Sequence, residues 1–387
     1  MGDVAVKRGM IYTVTDTINA KRDISEVIDL LDPFETPVLD MVGKDSLSAP
    51  CTQTKHEWMT DRLYPRGGTL AAAHVAGSGS ITLASSEGKY LTQDDLFLVD
   101  NIVFRADSGM PDADVIAVTV VGGTDAAIAD GSAWRKTGHA APEGGLSRAE
   151  MKKTSPELPY NYTQIFKDWA LITGTMSVIQ RYGYANERAY NEAKILKGLA
   201  MDFEQTIIYG VKSAVETTTS RKSTMGGLFQ YVFLDGIADS RANVTNLAGA
   251  DFTETVMNDV LQAQWEVGGQ INFCMVNGTN KRRISDWGKP AIRTERTERT
   301  AGASIGAYVS DFGEVDIILN RNLRASDIIF GNKSQLGVGP LNGRQFSSKM
   351  LVPNGDFDWY EIMGEYTMEV RRPWIDFAWL YNTSTTY

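Results

Sequence analysis

The chain has 387 residues, 43% hydrophobic and 22% charged, with a formal net charge of -10. That length allows two or three domains and a sizeable core, while the acidic balance argues against a nucleic-acid reader, whose grip on phosphate rests on clustered Lys and Arg. No eighteen-residue apolar run appears, Met1 to Lys7 lacks a basic-then-apolar leader pattern, and Cys51 and Cys274 have no metal spacing, so the expectation is a cytosolic chain without membrane span, disulfide scaffold or zinc knuckle.

The first expected element is an N-terminal arm over residues 1–56. It contains one short helix, Asp23–Leu31, stopped by Asp32-Pro33, and then apolar anchors at Phe34, Pro37, Val38 and Leu39. A limb beginning at Glu57-Trp58 leads through Leu63 to Arg66-Gly67-Gly68 and the small-residue stretch Ala71–Ser80, where high backbone freedom is expected. Between about 80 and 145 short strands alternate with turns, at 96–99, 102–104, 115–120, 126–130 and 134–136. This texture points to a small β-barrel or sandwich inserted in the limb. The return limb, Pro159–Phe166, alternates Tyr160, Tyr162 and Gln164 with Asn161, Thr163 and Ile165, the period of a strand. Paired with the outgoing limb it makes a long hairpin, which is marginal in water unless something covers a face.

A long amphipathic helix is expected from about Asn186, its N-cap, to Tyr209, ending at Gly210 in a positive-φ cap. Its apolar stripe is Ala189, Ala193, Leu196, Ala200, Phe203 and Ile207, widened by Ile195, Leu199 and Ile208, with Glu204 assigned to the opposite, polar side. Gly198 inside it costs about 1 kcal/mol against alanine and so points to a close crossing or a bend. A second helix follows, with Asp251-x-x-Glu254 read as a capping box and Val256, Val260, Leu261 and Trp265 facing inward, ended by Gly268-Gly269. Strands are expected at 271–276, 315–319, 327–330, 366–370 and 375–381. The fold class is therefore α+β.

Catalysis has no support. His56, His74 and His139 lack metal-ligand spacing, no nucleophile elbow or phosphate loop is present, and Asp311-Phe312-Gly313 matches a kinase magnesium motif in letters only, so no catalytic residue, metal or cofactor is expected. A carbohydrate-binding or hydrolytic reading would use Asp94 and Asp95, but neighbours on a strand point to opposite faces. The arm and loop carry aromatics without a core of their own. Phe34, Trp58, Tyr160, Tyr162, Phe166 and Trp169 are thus candidates for contact with another subunit, with Arg62, Arg371 and Arg372 as polar partners. The run from Arg293 to Thr300 alternates sign; it reads first as a solvated loop, and alternatively as a ladder in which Arg293, Arg296 and Arg299 meet an adjacent subunit. Lys281-Arg282-Arg283 reads as a helix end that caps carbonyls rather than a grip on DNA.

The order of parts, arm, extended loop, long helix, mixed α/β unit and late return strands, resembles the tailed-bacteriophage major capsid proteins of the Hong Kong 97-like fold. Local stretches carry the likeness: Asp23 to Lys44, Glu57-Trp58 with Asp61 and Leu63, Tyr160 to Phe166, Ser310-Asp311-Phe312-Gly313, Asn320-Arg321 and Glu365 to Met368 look like the branch with a β module inserted in the extended loop. The resemblance implies an N-terminal arm over 1–56, an extended loop over 57–76 and 146–175, and an inserted β-barrel-like module over 77–145. It further implies a peripheral domain with its spine helix over 176–225 and 341–372, and an axial domain over 226–340 and 373–387. The implied function is self-assembly into hexamers and pentamers of an icosahedral head that encloses double-stranded DNA without reading its sequence. Expected partners are the chain itself, a separate scaffolding protein, a portal and a decoration protein, with no membrane, and assembly in the host bacterial cytoplasm. A tail-tube or other virion oligomer is the alternative. The family's covalent Lys–Asn link cannot be placed on this sequence.

Overall fold

The computed structural model describes residues 34–43, 46–47, 50–84, 87–107, 114–144, 156–179, 186–216, 221–238, 241–287, 306–352 and 355–386. The expected helix at 23–31 and the alternating-charge run with Arg293, Arg296 and Arg299 lie outside the described residues. The chain forms two compact units, one of Met1–Trp58 with Tyr160–Tyr387 and one of Met59–Pro159.

The smaller unit is a six-stranded sheet in the order Gly67–Thr69, Ala133–His139, Asp95–Val99, Ile102–Ala106, Val115–Gly122 and Ser80–Thr82, antiparallel throughout. Its strands alternate buried and exposed positions, and Leu70, Ile81, Leu83, Phe97, Phe104 and Trp134 make its core. The small-residue stretch 71–80 is not a free limb, as its composition led one to expect. Gly77 and Gly79 turn the chain at positive φ, and the His74 ring is buried between Asp125 Oδ1 and the Ser80 carbonyl, each at 3.0 Å. The strand Gly67–Thr69 already belongs to this sheet, and the stretch 126–130 contributes a single bridge to His74 instead of a strand. Asp95 is buried and fixed by Lys136 Nζ at 2.6 Å, His139 Nδ1 at 3.1 Å and the Thr92 N–H and hydroxyl. It is a structural carboxylate, and Asp94 beside it sits at φ 64.

The longest helix of the larger unit is Glu187–Tyr209, 23 residues. Asn186 caps it as expected, its side chain accepting from the N–H groups of Arg188 and Ala189. The buried face differs from the expected stripe: Leu199, Phe203, Glu204, Ile207 and Ile208 are inside, whereas Ala189, Ala193 and Leu196 are exposed. The fully buried positions of the rod all lie in its C-terminal half. Gly210 is needed for a different reason than expected. Its φ is -59, and a Cβ there would collide with the carbonyl oxygens of Thr206 and Met225. Around Gly198 there is open space, so none of the described elements crosses closely at that point. Gly198→Ala is accordingly expected to raise stability by about 0.5–1 kcal/mol, read as a higher thermal unfolding midpoint.

This helix packs on a four-stranded sheet built around one long strand, Phe357–Val370. On one edge that strand pairs with Ser347–Leu351 and then Leu336–Pro340, and on the other with Gln164–Thr173. The return limb is thus not half of an isolated hairpin: its continuation is a sheet strand of its own subunit, with Asn161 and Thr163 fully buried. Before that strand, Tyr160–Tyr162 pairs antiparallel with Lys55–Glu57, and a bridge from Thr60 to Glu157 extends the hairpin, as the two limbs predicted.

A six-stranded sheet completes the unit, in the order Val244–Asn246, Ala378–Tyr381, Ile328–Gly331, Phe273–Val276, Gly313–Leu319 and Ala307–Ser310. Helix Glu254–Glu266 covers one face through Met257, Val260 and Leu261. Its cap is Thr253, whose side chain accepts from the Val256 N–H; Asp251, read from sequence as the cap, instead pairs with Arg283 at 2.7 Å. Trp265, expected inside, is 60% exposed. Arg283 also donates to the carbonyls of Ser384 and Thr386, tying down the last residues described. Cys274 is fully buried, and burial pushes its thiol well up, so it behaves as a small core hydrophobe.

Candidate inter-subunit surface

Cross-strand neighbours share a face of a sheet, and successive residues alternate between faces. In the four-stranded sheet, Phe166 turns toward the long helix and meets Phe203 with ring centroids 5.0 Å apart. The opposite face carries Ile165, Trp169 and Leu171, which remain 48%, 57% and 56% exposed. Trp169 stands opposite Glu361, itself opposite Lys349, and Leu171 opposite Trp359, itself opposite Leu351. Lys167 Nζ sits 2.6 Å from Glu361 Oε1, leaving an apolar strip with a charged border. Past the end of this strand Met176, Val178 and Ile179 are exposed as well. Exposed large apolar side chains bordered by charge are the kind of surface that protein contacts use.

The other expected contact residues divide. Trp58 and Phe166 are corrected to core: both are buried, Trp58 edge-on to Tyr231 at 5.9 Å, and neither has surface left for a neighbour. Their aromatic character on a supposedly coreless limb misled, because the limb's strand belongs to its own subunit's sheet. Tyr160 and Tyr162 are half-buried, edge to face at 5.5 Å, with Lys55 and Lys212 over the Tyr160 ring. Phe34 is exposed on the arm, with Lys197 Nζ 5.9 Å from its ring. Arg62 lies in the smaller unit, 3.7 Å from Glu157. Arg371 pairs with Glu369 at 2.6 Å, and Arg372, at φ 51, pairs with Asp376 at 3.2 Å and donates to the Gly268 carbonyl. Both arginines therefore have partners within the chain.

Two polar clusters fix the arm. The first is Glu204 on the long helix, fully buried, whose Oε1 accepts from the Val38 N–H at 3.0 Å and Oε2 from the Leu39 N–H at 2.9 Å, while Asn320 Nδ2 donates to Oε1 at 2.9 Å. A carboxylate thereby satisfies the first-turn donors of the arm helix Pro37–Val42. Burial raises the Glu204 carboxyl, and the three donors oppose that without outweighing it. Arg321 adds a 3.0 Å pair to Glu35.

The second cluster is His56, whose Nε2 lies 2.6 Å from Glu369 Oε1. The Cys51 sulfur and the Glu369 carboxylate push His56 up to about 9. Burial works to raise Glu369, but donation from His56 and Arg371 prevails and holds it below the usual range. A folded value above the unfolded ~6.5 means that the pair's contribution is fully present below pH ~6.5 and is lost as pH rises through about 9. The urea midpoint is thus expected to fall between pH 7 and 10 in the native chain, and this fall to be reduced in His56→Gln. An equal fall in both would remove His56 as its source.

The family described as SU10 major capsid protein matches residues 10–375. Among solved structures the chain is similar to the Cyanophage A-1(L) capsid asymmetric unit, with 10% identity over 97% of this chain and 100% of that one, at a TM-score of 0.56. It is likewise similar to the capsid of a native GTA particle, with 8% identity over 94% and 96% of the two chains and a TM-score of 0.53. At such identities the likeness shows the fold, which is the α+β Hong Kong 97-like capsid fold. Comparison with curated proteins gives no match.

Proposed function

Because the chain belongs to the SU10 major capsid protein family, and so builds the shell of a virion, we propose that the strip of Ile165, Trp169 and Leu171 is where one copy seats on the next. The observation that carries this reading is the exposure of three large apolar side chains on the face of a sheet whose other face is packed. In the finer reading, copies close into hexamers and pentamers of an icosahedral head around double-stranded DNA, with assembly in the bacterial cytoplasm. A net charge of -10 suits a wall that holds DNA without adhering to it. Scaffolding, portal and decoration proteins remain the proposed partners. The role is structural: Asp94 and Asp95, the carboxylates a hydrolase would have used, diverge, and Asp95 is already fully engaged.

Trp169→Glu tests the reading. Its side chain is mostly in water but stands opposite Glu361, so the variant monomer should stay folded and lose only about 1–2 kcal/mol of stability. A buried interfacial tryptophan contributes about 2 kcal/mol or more per contact, so shells seen by electron microscopy should form only at protein concentrations at least ~10-fold higher. Normal assembly by Trp169→Glu and Leu171→Arg would remove this strip from the shell contacts.

A further inference from the structure

The six-stranded sheet ends on Val244–Asn246, which among the described residues has a strand on one side only, Ala378–Tyr381, in parallel pairing. The Trp379 N–H donates to the Asn243 carbonyl at 2.8 Å and the Leu247 N–H to the Tyr381 carbonyl at 3.0 Å. Odd-numbered backbone groups therefore face the sheet, and the N–H and C=O of Asn246 with the C=O of Val244 face the open side. Such an edge is a template for another strand.

Beside this edge, below helix Glu254–Glu266, runs a groove of about 190 Å³. Thr245 and Leu247 of the edge form one wall, and Val256, Val260 and Ala263 of the helix form the other. The lining contains no Lys or Arg and is rich in acceptors. Asp259 is exposed, and Asn243 and Gln264 are buried with side-chain oxygens that have no hydrogen-bond partner. The Asn243 amide is not free to turn over, because its nitrogen already donates to the carbonyls of Phe377 and Pro373.

We propose that this is a strand-addition site for an extended segment of a different protein, with small apolar side chains and one lysine or arginine. The unpaired edge calls for a strand rather than a helix, since only an extended backbone can meet the outward groups of Asn246 and Val244. The groove takes the alternate side chains that point toward the helix. Asp259, the exposed carboxylate of the lining, selects a cation on that segment.

The probe is a fluorescein-labelled six-residue peptide with valine at alternate positions, threonine between them and a single lysine, titrated with the full chain and followed by anisotropy. Saturable binding is expected. Ala263→Trp, which fills the groove, and N-methylation of the central peptide amides should each weaken it by about tenfold or more. Asp259→Lys, on the exposed side of the helix, should weaken it several-fold, with a larger difference at low salt. Absence of saturable binding, or binding that survives both Ala263→Trp and N-methylation, overturns the proposal. So does a result in which the peptide fails to bind while Ala263→Trp abolishes self-association, which would assign the groove to a second copy. Shell assembly by the native chain is independent of all these outcomes.

Discussion

Glu204→Ala is expected to detach the arm from the long helix. It leaves the N–H groups of Val38 and Leu39 and the amide of Asn320 without their shared acceptor in a fully buried place. Stranding donors in such a network costs about 3–5 kcal/mol. The loss should show as a lower urea midpoint and as earlier proteolytic cleavage between residues 34 and 57 than elsewhere in the chain. Uniform destabilisation without preferential cleavage would mean that Glu204 supports the helix rather than the arm. The pH dependence distinguishes its charge from its shape. Burial raises the folded carboxyl above its unfolded value near ~4.3, so the folded chain holds the proton longer. The stability linked to Glu204 is therefore fully present below pH ~4.3 and is lost as pH rises through the folded value. Glu204→Gln should flatten that slope. It keeps the volume but offers one acceptor oxygen where the carboxylate offers two, so it is expected to fall between the native chain and Glu204→Ala in stability at neutral pH.

Phe203→Ala should cost a comparable amount, about 3–5 kcal/mol, for a different reason. The ring is the point where the long helix meets its sheet, 4.9 Å from Tyr366, 5.0 Å from Phe166 and 6.2 Å from Phe346. Three aromatic neighbours held by three separate strands and loops cannot all collapse into the space left behind, so most of the cavity cost should be realised. Phe203→Leu, which keeps most of the volume, should cost about 1.5 kcal/mol or less. Chemical unfolding of the two variants checks this; equal effects would show that the site relaxes freely. If Phe203→Ala stays folded but builds no shells, the rigidity of the helix on its sheet is itself needed for assembly.

Features set by neighbouring residues were legible from sequence. Asn186 followed by a charged first turn, and the alternation in 95–106, specify a cap and two strands through interactions only a few residues long. Glu204 was missed because charge was allowed to outrank position. It lies four residues from Ala200 and from Ile208, on the row that turns inward, and its partners are more than a hundred residues away in sequence. The exposure of Ala189, Ala193 and Leu196 has the same origin: periodicity identifies an apolar side of a helix but not how far along it the rest of the chain reaches. Phe166 is buried because the pairing of Gln164–Thr173 with Phe357–Val370 joins segments nearly two hundred residues apart, and Trp58 because it packs on the distant Tyr231. Trp169 was grouped with Phe166 as an aromatic of the same limb, but only the sheet register reveals that the two face opposite ways.

One hundred and one residues, 59–159, leave the larger unit and come back at strands that lie side by side, with Lys55 opposite Tyr162 and Thr60 opposite Glu157. To the remainder of the polypeptide this whole module is a detour whose mouth is one hairpin wide, and closing a longer detour costs only logarithmically more chain entropy. The junction thus tolerates replacement: the cargo between Met59 and Pro159 is free to change in size or be exchanged over evolutionary time while the plate that must tile stays constant.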